Sequence, residues 1–252
     1  MSEERIVARL RTAGCVFAED EAALLTEEAA GDVDRLERMV RDREGGRPLE
    51  QILGWAEFAG IRVRVAPGVF VPRRRSELVV RLALEAAGPN AVAVDLCCGT
   101  GALGAALLAA RPDLEVHAAD LDPAAVACAR RNLPPARVHE GDLYAALPDR
   151  LRGKVDLLVV NAPYVPTDEI AMMPPEARDH EHRIALDGGP DGLDVQRAVC
   201  AGVHAWLAEG GTLVIETGRS QAATTAALMS GAGLTPRVIT DPEVGAVAVK
   251  AT

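Results

Sequence analysis

The sequence predicts an α/β protein whose core is a doubly wound parallel sheet, preceded by a small helical region. From residue 91 onward, apolar runs with the character of strands alternate with helical patterns, an order typical of sheets covered by helices. The run 155–161 begins as VDLLVV, which is apolar on both faces and indicates a fully buried strand. A chain of 252 residues with 49% hydrophobic content allows one large domain and a smaller partner.

Composition narrows the class of protein further. A net charge of −10 disfavours general binding to a nucleic-acid backbone. The chain has five cysteines, and two of them, Cys97 and Cys98, are adjacent. An odd number with this spacing does not suit a disulfide framework and indicates a reducing cytoplasm. The N-terminus lacks an apolar stretch of signal-peptide length, and no run approaches about 18 apolar residues. We therefore expect neither a leader nor a membrane span.

The first part of the chain is predicted to be helical. Within residues 2–46, apolar side chains recur at helical spacing between charged positions. Asp20 and Asp32 are candidate helix starts, and Gly45-Gly46 is a candidate stop. Such an amphipathic bundle either packs for purely structural reasons or docks a partner.

Residues 56–71 alternate in the manner of strands around Pro67-Gly68, which predicts a hairpin, and residues 77–87 are predicted to form a connecting helix. The strands predicted beyond it are 92–96, 115–120, 137–140, 155–161, 211–217, 235–240 and 245–250. The helices predicted between these strands are 102–110, 123–132, 193–208 and 220–232. A short turn joins the last two strands, so we expect them to be antiparallel. Residues 166–192 show little pattern, and loops of that length are usually functional or mobile.

A glycine-rich loop follows the first predicted strand of the sheet. Residues 99–104 (GTGALG) match G-x-G-x-x-G, which brings backbone close to a ligand and also permits a dinucleotide. Asp95, four residues before the glycines, suits an ammonium group better than a pyrophosphate. Asp120 can accept bonds from ribose hydroxyls, and Asp142-Leu143 offers a carboxylate and an apolar face to an adenine. These groups favour S-adenosylmethionine over a nicotinamide cofactor.

A second loop, Asn161-Ala162-Pro163-Tyr164, follows the buried strand at the end where open α/β sheets place ligands. The Asn161 side-chain oxygen and a turn carbonyl can accept the two N–H bonds of a planar amino group, while the Tyr164 ring packs on its face. The two loops together predict methyl transfer to a planar nitrogen. The plain alternative is that Asn161 is a turn residue.

These motifs carry a family resemblance. Residues 95–101 (DLCCGTG) resemble motif I of class I methyltransferases, D-x-G-x-G-x-G, and Asn161–Tyr164 resembles the N-P-P-Y motif of enzymes that methylate planar nitrogens. Residues 53–58 (LGWAEF), 67–73 (PGVFVPR) and 185–193 (ALDGGPDGL) are similar to segments of the protein-glutamine N5-methyltransferases, which modify peptide chain release factors.

The resemblance implies a class I, Rossmann-like fold with a seven-stranded sheet, and S-adenosylmethionine as methyl donor. It also implies a glutamine-bearing protein such as a release factor as partner. From the residues themselves we expect neither a membrane nor a metal to be involved, and the acidic net charge counts against a nucleic acid as direct substrate. The implied domains are a helical docking domain (1–55), a β-hairpin linker (56–76) and the methyltransferase domain (77–252). The predicted cofactor-binding residues are Asp95, Cys97, Cys98, Gly99, Thr100, Gly101, Asp120, Leu121, Asp142, Leu143 and Asn161. The predicted substrate-binding residues are Asn161, Ala162, Pro163 and Tyr164, of which Asn161 and Tyr164 are the predicted catalytic residues.

Three departures from the family pattern predict a divergent paralogue. Cys97 replaces a motif I glycine, and Ala162 replaces the first proline of N-P-P-Y, which makes the turn less rigid. Residues 72–77 read PRRRSE instead of P-R-P-E-T-E, so Arg75 reverses a charge.

Two other functions use similar motifs. A nucleic-acid amino methyltransferase would share the geometry around Asn161, but the acidic net charge and the lack of a basic or aromatic platform count against it. A non-catalytic S-adenosylmethionine-binding module is compatible with Ala162, whereas the intact Asn161 and Tyr164 count against it.

Overall fold

A computed structural model describes residues 2–252, in which helices and strands alternate from residue 92 onward. The helices are α1 (Glu3–Thr12), α2 (Ala18–Ala29), α3 (Val33–Glu44), α4 (Leu49–Leu53), α5 (Glu77–Ala86), α6 (Ala102–Ala110), α7 (Pro123–Ala129), α8 (Pro175–His180), α9 (Asp194–Gly202) and α10 (Ala222–Gly231). The strands are β1 (Trp55–Phe58), β2 (Ile61–Arg64), β3 (Val92–Leu96), β4 (Glu115–Asp120), β5 (Val138–Glu140), β6 (Val155–Val160), β7 (Leu207–Glu216), β8 (Pro236–Asp241) and β9 (Ala246–Ala251).

The main sheet has seven strands in the order β5-β4-β3-β6-β7-β9-β8. Its first five strands are parallel, whereas β9 runs antiparallel to β7 and β8 antiparallel to β9, as predicted. The strand order reverses between β3 and β6, where Leu96 lies opposite Val160. Cys97 and Asn161 therefore leave the sheet side by side at its carboxyl edge, at the topological switch point where such sheets bind ligands.

Both faces of the central strands are buried. In β6, Leu157 and Val159 belong to the apolar cluster covered by α5 and α6, while Leu158 and Val160 belong to the cluster on the opposite face. Because side chains alternate across a strand, a shift of one residue would exchange the two sets. The carboxyl-edge loops are thus held in a fixed register.

The hairpin turns at a different place from the one predicted. Trp55 lies opposite Arg64 and Phe58 opposite Ile61, so the turn is Ala59-Gly60, and both of its residues have positive φ. The prediction of a turn at Pro67-Gly68 was wrong, because the alternating pattern runs on past the second strand and masks the short turn. The first strand also begins one residue before the predicted linker, and the helix predicted over 193–208 ends at Gly202.

The N-terminal helices pack around an apolar cluster that includes Ile6, Leu10 and Leu25. Asp32 caps α3 by accepting a hydrogen bond from the Arg35 N–H at 2.9 Å, as predicted. Asp20 lies inside the first turn of α2 instead of preceding the helix. Among the helices of residues 2–252, none has the length and apolar character needed to cross a bilayer.

The long segment 166–192 connects the helical region to the sheet domain. The Arg43 guanidinium, buried at the end of α3, lies 2.6 Å from a carboxylate oxygen of Glu21 and 2.6 Å from one of Glu176. The Gln51 side-chain amide donates to the His180 carbonyl at 3.0 Å. His182 Nδ1 of the same segment lies 2.6 Å from Asp122 Oδ2, in the loop after β4. The segment therefore contacts both parts of the chain.

Candidate active site

A cavity of about 350 Å³ opens at the carboxyl edge of the sheet. The predicted site residues that line it are Cys97, Cys98, Gly99, Thr100, Asp120, Leu121, Asp142, Leu143, Asn161, Ala162, Pro163 and Tyr164. Asp95 and Gly101 are not among the lining residues. The fold thus brings the two predicted loops to one cavity and leaves two of the predicted residues behind its wall.

The glycine-rich loop is held in place by backbone geometry and by one carboxylate. The Gly99 N–H donates to Asp120 Oδ2 at 2.8 Å, which ties the loop after β3 to the end of β4. Cys97 has a φ of 57°, a left-handed conformation that strains any residue with a Cβ. Glycine at this position in motif I avoids that strain, so Cys97 is tolerated at a conformational cost.

Gly101 and Asp95 support the loop from the protein interior. A Cβ added to Gly101 would lie 3.0 Å from Leu133 Cδ1 and 3.1 Å from Ala129 Cβ. A glycine at this position is therefore needed for the close packing against α7. Asp95 is only 1% exposed and accepts the Gly104 N–H through Oδ2 at 2.9 Å. Within residues 2–252, its Oδ1 has no hydrogen-bond partner.

The protonation of Asp95 gives a prediction on stability. Burial raises the pKa of Asp95 from 3.8 to about 8, since its charged form loses hydration. The folded state thus holds this proton more tightly than the unfolded state, a contribution to stability that is lost as pH rises through the folded pKa. The introduced amide does not titrate, so Asp95→Asn lacks this loss of stability. The unfolding free energy of the variant minus that of the wild type should therefore increase from about pH 5 to about pH 9. Urea unfolding at both pH values measures this, and a constant difference would contradict it.

The wall formed by β4 and β5 carries the groups that suit an adenosine. Asp120 ends β4, and its Oδ1 accepts the Asp122 N–H at 2.9 Å, which fixes the carboxylate at the cavity. Leu121 is half exposed, and Asp142 with Leu143 follows β5 on the same wall. A carboxylate for ribose hydroxyls, a second one for an amino group, and apolar faces for a base are therefore present together.

The opposite wall carries the Asn161 motif. Asn161 Nδ2 lies 3.2 Å from Ser76 Oγ, to which it donates. Because the nitrogen is engaged by Ser76, the side-chain oxygen is the group left for a ligand. Ala162 is buried, and its N–H makes no backbone hydrogen bond within residues 2–252, so its position depends on packing.

Tyr164 belongs to a network that the sequence did not predict. Its hydroxyl accepts a hydrogen bond from Arg75 Nη2 at 2.5 Å, and Arg75 Nε donates to Glu216 Oε1 at 3.0 Å. Burial raises the pKa of Tyr164 to about 12, so the phenol stays neutral at neutral pH. Tyr164 is therefore placed as a positioned ring and hydroxyl, and not as a base.

The segment 185–193 holds the backbone of the same motif. The Gln221 side-chain amide donates to the Tyr164 carbonyl at 2.9 Å and to the Asp191 carbonyl at 3.0 Å. Gly192 has a φ of 76°, and a Cβ at this position would lie 2.2 Å from the carbonyl oxygen of Tyr164. The glycines of the family-like segment thus permit close contact with the motif, which sequence periodicity could not reveal.

The fold and the cavity together define a class I methyltransferase that uses S-adenosylmethionine. Residues 60–173 match the methyltransferase small domain family. Over 189 residues the chain is 42% identical to the release factor glutamine methyltransferase of Streptomyces coelicolor, which covers 73% of this chain and 67% of that protein. The chain belongs to the release factor glutamine methyltransferase family.

Two other proteins are informative. The chain is 38% identical over 230 residues to the 4-amino-L-phenylalanine/4-methylamino-L-phenylalanine methyltransferase of Streptomyces pristinaespiralis, covering 84% of this chain and 78% of that protein. A solved methyltransferase from Pyrococcus furiosus has a TM-score of 0.56 at 16% identity, over 76% of this chain and 88% of that one, a likeness that concerns the fold alone. The predictions of family, fold and cofactor are confirmed.

The role of Asp120 in holding the cofactor is a prediction that binding measurements can test. Asp120→Asn keeps one acceptor oxygen but removes the charge, and should weaken S-adenosylmethionine binding about tenfold or more, since bonds to charged groups are strong. Asp149 is 89% exposed and lies outside the cavity lining, so Asp149→Asn is the matched control and should bind the cofactor normally. Calorimetry measures both affinities, and an unchanged affinity for Asp120→Asn would remove the ribose role.

Proposed function

We propose that this protein transfers a methyl group from S-adenosylmethionine to the side-chain amide nitrogen (N5) of a glutamine in a protein, a peptide chain release factor being the favoured substrate. The observation that carries the proposal is the orientation of Asn161. Its nitrogen donates to Ser76, so its oxygen is available at the cavity, beside Ala162 and across from Asp120. The relatives named for release factors support the choice of a glutamine.

The mechanism follows from the weakness of the nucleophile. An amide nitrogen shares its lone pair with the carbonyl, and bound S-adenosylmethionine supplies a methyl group that is already reactive. The Asn161 oxygen and the Ala162 carbonyl would accept the two amide N–H bonds, which turns the lone pair toward the methyl group. Alignment of this kind can lower the barrier by roughly 7–11 kcal/mol, and fixed acceptors also stabilise the positive charge that develops on nitrogen. The N–C bond would form as the C–S bond breaks, the neutral demethylated cofactor would leave, and the methylated nitrogen would release one proton to water.

The test is methylation of purified release factors from the same source with labelled S-adenosylmethionine. We expect label on one glutamine side chain, located by peptide mass spectrometry. A fraction of nucleic acid and a fraction of small molecules from the same cells are incubated in parallel. Label found only in the nucleic acid would replace this function with amino methylation of a base.

A second candidate acceptor is the amino group of an aromatic amino acid. The 4-amino-L-phenylalanine/4-methylamino-L-phenylalanine methyltransferase is 38% identical to this chain. This is close to the 42% identity with the release factor glutamine methyltransferase of Streptomyces coelicolor. An aniline nitrogen shares its lone pair with the ring and carries two N–H groups, so the same two acceptors at Asn161 and Ala162 can orient it. Label in the small-molecule fraction would favour this candidate.

We propose that the N-terminal helices dock the protein substrate. Phe17 is 68% exposed at the start of α2, four residues before Glu21, which pairs with Arg43. Arg43 in turn pairs with Glu176 of segment 166–192, whose Ile184 lines the cavity and is 47% exposed. An exposed apolar side chain thus lies about one helical turn from the ion pairs that join the bundle to this segment.

Substitution of Phe17 tests the docking role. Phe17→Ser should lower kcat/KM for a protein substrate about tenfold, which is the size expected for one exposed aromatic contact in an interface. Cofactor affinity and methylation of a short glutamine peptide should not change, because neither reaches the bundle. Val238→Ser, at an exposed apolar position on β8, is the control. Equal rates for both variants on the protein substrate would show that Phe17 has no role in docking.

A further inference from the structure

The charges that line the cavity are unequally distributed. Four carboxylates line it, those of Asp120, Asp122, Asp142 and Asp194. Among the lining residues of the described chain, Arg75 is the one basic side chain. An anionic group of a ligand therefore has a single basic side chain as partner among the residues that line the cavity, and that side chain lies beside the Asn-Ala-Pro-Tyr motif.

The Arg75 guanidinium is held with one donor group free. Its Nε is engaged by Glu216 at 3.0 Å and its Nη2 by the Tyr164 hydroxyl at 2.5 Å. Within residues 2–252, Nη1 makes no hydrogen bond, although the side chain is 41% exposed at the cavity. Glu216 is 2% exposed and does not line the cavity, so it orients the guanidinium without filling the acceptor space. Nη1 thus offers N–H donors that are already positioned.

We infer that Arg75 binds a carboxylate of the acceptor molecule, next to the nitrogen that is methylated, and so selects the substrate. The inference deepens the proposed function and rests on it. A carboxylate and a guanidinium form a charge-assisted hydrogen bond. The reacting amide carbonyl is an unsuitable partner, because a donor on that oxygen draws the nitrogen lone pair further into the C–N bond. The carboxylate can come from an acidic residue that flanks the glutamine, or from the α-carboxylate of a free amino acid.

Equilibrium binding tests the inference without turnover. The protein is first saturated with the demethylated cofactor. It is then titrated with N-acetyl-L-glutamine or with N-acetyl-L-glutaminamide, and binding is followed by NMR. These probes share the side-chain amide, and only the first has a carboxylate. We expect the first to bind about tenfold more tightly, the effect of one charged hydrogen bond.

The variants are chosen so that no buried charge is left unpaired. Arg75→Gln combined with Glu216→Gln should remove the preference between the two probes and retain a normal melting temperature. Arg74→Gln is the matched control, because this neighbouring arginine is exposed and lies outside the cavity lining. The control should keep the preference of the wild type.

Two sets of substrates distinguish the sources of the carboxylate. Glutamine peptides that differ only in a flanking Glu, Gln or Lys are compared with 4-amino-L-phenylalanine and its carboxamide. Preference for the Glu peptide indicates a flanking acidic residue, and preference for 4-amino-L-phenylalanine over its amide indicates a free amino acid. Both preferences should disappear in the double variant.

Other outcomes separate this inference from the proposed function. Equal binding of the two glutamine probes by the wild type overturns the inference, even if glutamine is methylated. A double variant that keeps the probe preference but loses affinity for S-adenosylmethionine also overturns it, since Arg75 would then hold the cofactor carboxylate. An Arg75-dependent probe preference without methylation of any glutamine supports the inference and overturns the proposed acceptor.

Discussion

Asn161→Ala is expected to lower the rate of methyl transfer by about 10²–10³, the range seen when one preorganised polar contact to a transition state is removed. The substitution removes the oxygen that we propose orients the acceptor nitrogen. It leaves the other predicted cofactor contacts, at residues 95–101, 120–121 and 142–143, unchanged. Affinity for S-adenosylmethionine should therefore change little. Single-turnover methyl transfer at saturating cofactor measures the rate, and calorimetry measures the affinity.

Ser76→Ala provides the graded control for Asn161. Ser76 is 2% exposed and accepts the Asn161 Nδ2 bond at 3.2 Å, so its loss frees the amide to rotate without removing it. We expect a smaller loss of rate, about tenfold, since one neutral hydrogen bond is removed. An Asn161→Ala enzyme that turns over at the wild-type rate would remove the central role given to this residue.

Gly192→Ala is expected to destabilise the protein by on the order of 3 kcal/mol and to lower methyl transfer at least about tenfold. Two effects add at this position. The positive φ of 76° strains any residue with a Cβ, and the added Cβ would lie 2.2 Å from the Tyr164 carbonyl oxygen and 2.4 Å from Gln221 Nε2. The segment must shift away from Tyr164, which displaces the motif that we propose binds the acceptor.

The control for Gly192 is Gly210→Ala. Gly210 has a φ of 75°, and no atom lies within 4 Å of a Cβ built there. This variant therefore carries the backbone strain without the collision and should lose only about 1–2 kcal/mol with normal activity. Urea unfolding and single-turnover rates compare the two variants. Equal losses in both would show that the contact between Gly192 and Tyr164 has no effect on the site.

Much of the sheet could be read from local patterns. The helix Ala102–Ala110 and the strands Val92–Leu96 and Glu115–Asp120 have the predicted bounds, because apolar periodicity reports burial along each element. The cofactor loop was recognisable for a similar reason, since its glycines and carboxylates follow strand ends within a short stretch of chain. The hairpin turn was misplaced because Ala59-Gly60 is a weak turn signal inside a longer alternating run.

The fold class, the family, the cofactor and the two cavity loops could all be predicted from the amino-acid sequence. The side chains that surround Asn161 and Tyr164 could not, and they became visible only in the folded chain. Ser76 lies 85 residues from Asn161, Arg75 lies 141 residues from Glu216, and Gln221 lies 57 residues from Tyr164. Pairs so distant along the chain meet because several strands and helices pack in one arrangement, which local periodicity does not encode. The proposed acceptor side of the cavity therefore depends on the complete fold, whereas the predicted cofactor side is largely set by short segments at strand ends.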